Sequence, residues 1–367
     1  MKVALVHEFL ITWGGSDFVV QKFAEIFPDA PIHTALYNRK EMEERFRGSD
    51  IRTSFLQRIP GGLRRHRFLM PFFPFAFESF DLTGYDLVLS SHHLAAKCVL
   101  TTPNTCHVCF CHTPMRYGWD FTHEYVGNMR PTLRWPMRAA LHYLRNVDVA
   151  SSNRVDYYIA NSRFVANRIR KYYRRDATVI NSPVDASRFH VSHKVDDYWL
   201  VVSRMVGYKR VDLAVEAFNR LKKRLVVVGT GPELQRLKAM AGPTVEILGF
   251  VPDEKLPDYY AGCKAFIFPG VEDFGITPLE AQASGRPVIA FRTGGALETV
   301  LDGKTGKYFD EQTPEALMDA VLAAEKMDFD PPAIRRHAER FDVEIFKIKI
   351  KKFIDEKLVE WRASRDG

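Results

Sequence analysis

Apolar residues along the chain gather into short, nearly unbroken runs separated by stretches of helical length. In the first half these runs are KVALVH, DLVLSS, CHVCFC and DYYIANS; in the second they are YWLVVS, RLVVVG, TVEILG, KAFIFPG and RPVIAF. Runs of Val, Ile and Leu without polar alternation predict strands buried on both faces of a parallel sheet, joined by helical crossovers. Each half therefore reads as a doubly wound α/β domain. Between them, INSPVDASRFHVSHKVDD (180–197) is polar, contains Pro183 and lacks either periodicity, so it is the expected linker. Ligands of such folds sit beyond the carboxyl ends of the strands, and a cleft between two such domains is the expected site. The last stretch, with Ile345, Ile348, Phe353 and Leu358 spaced among lysines, predicts an amphipathic terminal helix packed on a domain.

A length of 367 residues suits two domains, and 46% hydrophobic with 26% charged residues is the composition of a folded chain. A net charge of +7 and a pI near 9.0 point to an anionic partner: phosphate, nucleotide or lipid headgroup. MKVALVHEFL is too short an apolar stretch for a signal peptide and is interrupted by His7 and Glu8; it reads as a first buried strand. FLMPFFPFAF is short and cut by prolines, far from the roughly 18 apolar residues that span a bilayer. Five cysteines, four of them between 98 and 111, suit reduced thiols in the cytoplasm.

The most informative segment is VEDFGITPLEAQASG (271–285), a loop and helix start after the strand CKAFIFPG. Thr277 as N-cap, Pro278 as first helical residue and Glu280 three positions after the cap form a capping-box pattern. Free N–H groups at Gly275, Ile276 and Thr277, with the positive end of the helix dipole, would hold a phosphate. Glu272 and Glu280 beside a phosphate suggest hydroxyl recognition. A nucleoside diphosphate sugar has vicinal hydroxyls at both ends, and each carboxylate would take one end.

In SRMVGYKRVD, Arg204 and Lys209 occupy a strand-to-helix loop where a guanidinium fork and an ammonium can meet a diphosphate. Three or four charge-assisted hydrogen bonds of about 1.5–3 kcal/mol would account for a micromolar ligand; a solvated basic loop is the plainer reading. Gly14 and Gly15 in EFLITWGGSDFVV allow close approach of a phosphate or simply a tight turn, without forming a dinucleotide fingerprint. TCHVCFCHTPMRYGWD brings Cys106, His107, Cys109, Cys111 and His112 together, but they alternate along one strand with no second metal-type pair elsewhere, so they are read as core residues and no metal site is expected. His112, Arg116 and Tyr117 follow that strand as candidates on the acceptor side, with a structural role for His112 left equally open. Asp328 and Asp330 resemble a manganese-binding Asp-x-Asp, but they precede Pro-Pro, and Asp330 is read as a helix cap. In RIPGGLRRHRFLMPFFPFAF (58–77), Arg58, Arg64, Arg65 and Arg67 join a Phe-rich tail without any acid, as suits an anionic membrane surface; RPTLRWPMRAALHYLRN (130–146) is a second stretch of that kind. Nucleic acid and a plain solvated face are the alternatives.

Taken together, GGSD, CHTPMRYGWD, ANSRF, SRMVGYKRVD, VEDFGITPLEAQASGRPVIA and GGALETV resemble, in order and over most of the chain, the retaining glycosyltransferases of family four. Glu272 and Glu280 are the E-x7-E pair of that family, and CHTPMRY is similar to bacterial mannosyltransferases of O-antigen and exopolysaccharide synthesis. The resemblance implies a GT-B fold: a Rossmann-like acceptor domain (1–185), a Rossmann-like nucleotide-sugar domain (186–345) and a terminal helix (346–367) crossing back onto the first domain. It further implies that Glu280 holds the ribose and Glu272 approaches the donor sugar. Arg204 and Lys209 would neutralise the diphosphate, helped by backbone at Gly15 and from Phe274 to Thr277, while His112 faces the transferred sugar. A same-face substitution in which the leaving diphosphate helps deprotonate the acceptor is the implied chemistry. It accounts for the lack of a carboxylate pair for double displacement, and no metal or other cofactor is implied. GGSD departs from the more frequent GGAE, so the contacts of Ser16 and Asp17 do not carry over.

The sequence reading is thus a cytoplasmic transferase, peripheral on the inner face of the cytoplasmic membrane. It would move a hexose, with mannose from GDP-mannose the expected donor, to a lipid-linked saccharide; nucleic acid is not an expected partner. A UDP-sugar donor, a phosphorylase or epimerase of the same fold, and a non-catalytic membrane or nucleic-acid binder are the competing readings.

Overall fold

The structure is a computed structural model that describes residues 1–127 and 129–365. It divides into two compact units, Met1–Asn181 together with the chain from Lys347 onward, and Ser182–Phe346.

The first unit is built on a seven-stranded sheet. Its strands are β1 (Val3–His7), β2 (Ile32–Thr34), β3 (Ile51–Thr53), β4 (Leu87–His92), β5 (Cys106–Cys111), β6 (Tyr157–Ala160) and β7 (Ala177–Val179), in the order 3-2-1-4-5-6-7. Every pairing is parallel. The strand order reverses between β1 and β4, which are the strands read most easily as buried runs. β1, β4 and β5 are buried at every position, so both faces must be covered, as helical crossovers do. β2 and the two edge strands, β3 and β7, are three residues long, and the edges are largely exposed, leaving no apolar run in the sequence.

The second unit repeats the plan with six parallel strands: β8 (Trp199–Val202), β9 (Leu225–Val228), β10 (Val245–Gly249), β11 (Phe266–Phe268), β12 (Val288–Phe291) and β13 (Gly306–Phe309), in the order 10-9-8-11-12-13. One face of the sheet packs Leu200, Val226, Phe266, Phe268 and Leu279; the other packs Trp199, Val201, Val227, Ile267 and Phe218. Order here reverses between β8 and β11. The doubly wound parallel α/β class expected of each half is therefore present in both units.

Two local expectations are corrected. The terminal helix, Val343–Ala363, buries Phe346, Ile350, Phe353, Ile354 and Leu358, while Ile345 and Ile348 lie on its exposed side. The buried face follows the 3.6-residue period from Phe346, with Lys347 reaching Glu25 at 2.6 Å. Asp330 precedes the helix Pro331–Glu339, but its side chain makes no capping bond. A capping side chain accepts from the second or third helical N–H, and the second helical residue, Pro332, has none. Asp330 instead lies 3.7 Å from Arg336. No helix among the described residues is long and apolar enough to cross a membrane.

Candidate functional site

In the second unit the residues singled out from sequence converge at the carboxyl ends of β8 and β11, where strand order reverses and an open α/β sheet leaves a crevice. After β8 the chain runs through Arg204 into a short 3-10 turn, Gly207–Lys209. After β11 it passes Gly270 and reaches Glu272. These two loops touch: a Cβ on Gly270 would lie 2.8 Å from the Cα of Lys209, so the close approach requires glycine. The Lys209 ammonium is ion-paired with the Glu272 carboxylate, both side chains less than one-fifth exposed. Arg204 is exposed, donates to the Tyr208 hydroxyl at 3.4 Å, and makes no ion pair among the described residues. Behind Glu272, its carbonyl accepts from the N–H of Gly295 at 2.9 Å, which fastens the loop to the GGALE segment.

The helix after this loop begins two residues earlier than its capping pattern predicts. It spans Ile276–Ala283, with Gly275 in the left-handed region (φ 87°) as the preceding residue and no side-chain cap. Thr277 is already the second helical residue and Pro278 the third, so neither the Thr277 cap nor the Glu280 capping box is formed. Glycine makes the sharp entry possible and leaves the first N–H groups without a side-chain acceptor. Glu280 is committed elsewhere: the Tyr260 hydroxyl donates to its Oε2 at 2.7 Å. Burial raises the Glu280 pKa above the ordinary carboxylate value, and the Tyr260 bond and the charge of Arg188 only partly offset it. Phe274 is 2% exposed and packs into the core, so only its backbone belongs to the loop. Tyr260 and Arg188 carried no recognisable motif, and only folding brings them to Glu280.

Not every groove in this unit suits a nucleotide. One of about 530 Å³ lies where β8, β9 and β10 begin, lined by Asp196, Asp197, Glu246 and Asp258 with Arg224. Four acids against one base oppose a diphosphate.

The remaining candidates lie in the first unit. Gly14 is extended (φ −161°) and precedes the helix Gly15–Ile26, whose first turn holds Asp17. His112 follows β5; its Nε2 is 2.8 Å from Ser91 Oγ and its ring lies 5.1 Å from that of Phe110. Burial, and then the neighbouring His93 and His7, hold the His112 pKa well below the ordinary imidazole value, so the ring is neutral near pH 7. Arg116 and Tyr117 open the helix Arg116–Trp119, with Arg116 over the Phe121 ring and Tyr117 beside Tyr125. Below them is a buried polar network: Asp148 accepts from Lys97 Nζ (2.5 Å), Tyr173 Oη (2.8 Å) and Trp119 Nε1 (2.8 Å). Glu8 is fully buried, and its carboxylate accepts the backbone N–H groups of His93, Leu94, Ala95 and Ala96. Sequence reading registered His7 and Glu8 only as breaks in an apolar run, although polar residues at the end of a buried strand were the available signal.

The cysteines of β5 are packed in the core, and burial raises the Cys106 and Cys109 thiols to about 12. His107 donates to or accepts from Ser90 at 2.8 Å. Arg58, Arg64, Arg65 and Arg67 are exposed, without an ion pair among the described residues. Around them Phe68, Phe72 and Phe75 are 78%, 57% and 61% exposed, while Phe73 and Phe77 fill the core. Trp135, in the second basic stretch, is 76% exposed.

Two family models match the chain in succession, Glycosyltransferase Family 4 over residues 13–188 and Glycosyl transferases group 1 over 185–341. A GDP-mannose-dependent alpha-(1-6)-phosphatidylinositol monomannoside mannosyltransferase of Mycolicibacterium smegmatis is 32% identical over 231 residues, which are 54% of this chain; the chain covers 58% of that relative's length. Among solved structures, Anabaena HepE in complex with UDP and glucose is 19% identical with a TM-score of 0.69, covering 97% of this chain and 99% of that one. Sucrose-phosphate synthase from Thermosynechococcus elongatus is 17% identical with a TM-score of 0.72, covering 98% and 100%. The structural likeness establishes the GT-B fold, and with consecutive family matches across both units the chain belongs to the family-four glycosyltransferases.

Proposed function

We propose that the protein is a retaining hexosyltransferase that moves mannose from GDP-mannose to a lipid-linked saccharide, in the synthesis of a cell-surface polysaccharide. The observation that carries the transferase reading is the pairing of Lys209 with Glu272 where β8 and β11 end, with Arg204 in the same loop as Lys209 and Glu280 in the helix that follows, a helix whose start has no side-chain cap. A donor diphosphate would take Lys209 and Arg204 as counter-ions and release Glu272 toward the sugar hydroxyls. Glu280, steadied by Tyr260, would accept from the ribose. Stabilising the departing diphosphate is then the main catalytic contribution, and His112 faces the transferred sugar. The two cations supply the neutralisation in this reading, so chelation should leave turnover unchanged.

The mannose assignment is supported by the GDP-mannose-dependent mycobacterial relative. A UDP-sugar donor is the second reading, favoured by the UDP and glucose in the Anabaena structure. The exposed arginines and phenylalanines of residues 58–75 support association with the anionic inner face of the cytoplasmic membrane, where the acceptor would be anchored. Calorimetric titration with GDP, UDP, GDP-mannose and UDP-sugars, with Glu280→Ala as control, tests the donor. Guanine-selective binding lost in the variant is expected. Uridine-selective binding would overturn the donor, and absence of nucleotide binding would overturn the enzyme reading.

A further inference from the structure

His7 and Asp17 lie outside the donor residues described above, yet both connect to His112. His7 ends β1 and is the register partner of Ser91 in β4, at the reversal of strand order in the first unit. His7 Nδ1 is 3.1 Å from Ser91 Oγ, which is 2.8 Å from His112 Nε2. On its other side, His7 Nε2 is 3.3 Å from Oδ1 of Asp17. His7, Asp17 and Ser91 are all buried, and His112 is half-buried. The four groups form one unbranched line, Asp17–His7–Ser91–His112.

With a neutral His7, the direction of the protons along that line follows from the inventory of donors and acceptors. An aspartate carboxylate only accepts, so His7 must place a proton on Nε2. A neutral His7 then accepts at Nδ1 and takes the Ser91 hydroxyl proton. Ser91, having donated, can only accept from His112, whose proton must be on Nε2. The surroundings hold His112 itself neutral. His92, His93 and His112 are each pushed toward the neutral form, by burial before anything else. His93 stands 6.5 Å from His7, ring centre to ring centre.

We propose that Asp17, His7 and Ser91 are positioning residues that hold His112 as its Nε2–H tautomer, leaving Nδ1 as the acceptor for a hydroxyl of the transferred sugar. The functional half of this inference rests on the reading that His112 meets that sugar; the tautomer half does not. It gives the GGSD departure a role: the acid of that segment is tied to His7 through a residue pair that β1 and the first helix bring together.

The test is long-range ¹H–¹⁵N spectroscopy of the whole protein with labelled histidine, His112 being assigned by its loss in His112→Gln. Wild type is expected to show His112 protonated at Nε2 alone. Ser91→Ala and Asp17→Ala should convert it to a tautomer mixture, whereas Asp17→Asn, which keeps a carbonyl acceptor for His7, should restore the single tautomer. A wild-type Nδ1–H tautomer would mean that His7 is charged and the line runs the other way, which overturns the proposal. So would a His112 signal indifferent to Ser91→Ala. In turnover with sugar nucleotide, Ser91→Ala should lower kcat about tenfold with donor KM within about twofold, as loss of one orienting hydrogen bond implies. Unchanged kcat would overturn the positioning role. If wild type transfers no sugar at all, the proposed function fails, while the nitrogen spectra still decide the tautomer.

Discussion

Replacing Glu8 should expose how the first unit holds its site together. The carboxylate, fully buried, takes four backbone N–H groups in the turn after β4: His93 at 3.0 Å, Leu94 at 2.7 Å, Ala95 at 2.8 Å and Ala96 at 3.0 Å, with a second bond from Ala95 to Oε2 at 2.9 Å. Each buried amide left without a partner costs about 1–3 kcal/mol, and entering water or a shifted turn recovers part of it. We expect Glu8→Ala to destabilise by about 4 kcal/mol, a large share of the roughly 5–15 kcal/mol that folded proteins possess. Glu8→Gln keeps one carbonyl acceptor but turns an NH₂ toward the Ala95 amide, for about 1–2 kcal/mol. Because two units need not unfold together, urea denaturation should be paired with amide exchange at Leu94, Ala95 and Ala96. Protection there should fall in both variants and most in the alanine. The pH dependence adds a sign. Burial acts to raise the Glu8 pKa, but His92, His93 and the turn's N–H groups outweigh it and hold it well below the ordinary 4.5. The carboxylate's stabilisation is therefore present above pH 4.5 and lost as pH falls toward the depressed folded value. Wild type should lose its advantage over Glu8→Gln in acid. Equal stability of alanine variant and wild type at neutral pH, or unchanged exchange in the turn, would refute the reasoning.

Three further outcomes follow from the site geometry. Lys209→Ala leaves Glu272 without its ammonium and removes a cation from the leaving group; kcat should fall about 10²–10³-fold, and Arg204→Ala similarly, in a sugar-nucleotide transfer assay. Tyr260→Phe removes the donor to Glu280 and raises its already elevated pKa further. Nucleotide affinity, measured by calorimetry, should weaken about fivefold, and more in mildly acidic than in mildly alkaline buffer, because a carboxylate with a raised pKa loses its charge earlier as pH falls. Arg64, Arg65 and Arg67 changed together to Ser should reduce binding to anionic vesicles by about 1 kcal/mol per residue at low salt, with no change toward neutral vesicles in a sedimentation assay.

Much of this protein was legible in the sequence. The central strands of both sheets read clearly because a strand buried on both faces needs an unbroken apolar run. Arg204, Lys209 and Glu272 could be singled out because they sit in loops that follow such strands, and Glu280 because it lies in the helix after one of them. The short strands β2, β3, β7 and β13 did not read clearly, since three or four residues at or near a sheet margin carry no periodic signal. The Thr277 cap misled for a related reason: the helix start is decided by Gly275, whose left-handed backbone lets the chain turn two residues early.

Local pattern, then, was enough for the α/β class and the two-unit plan, because burial on both strand faces is a short-range demand on composition. Pairings across many residues were decided only by the tertiary structure. Lys209 meets Glu272 because β8 and β11 are neighbours across a reversal of strand order, Tyr260 reaches Glu280 from another helix, and His7 lies beside Ser91 through strand register alone. Such contacts follow from how the sheet is wound, and no spacing along the chain encodes which buried polar group will find which partner.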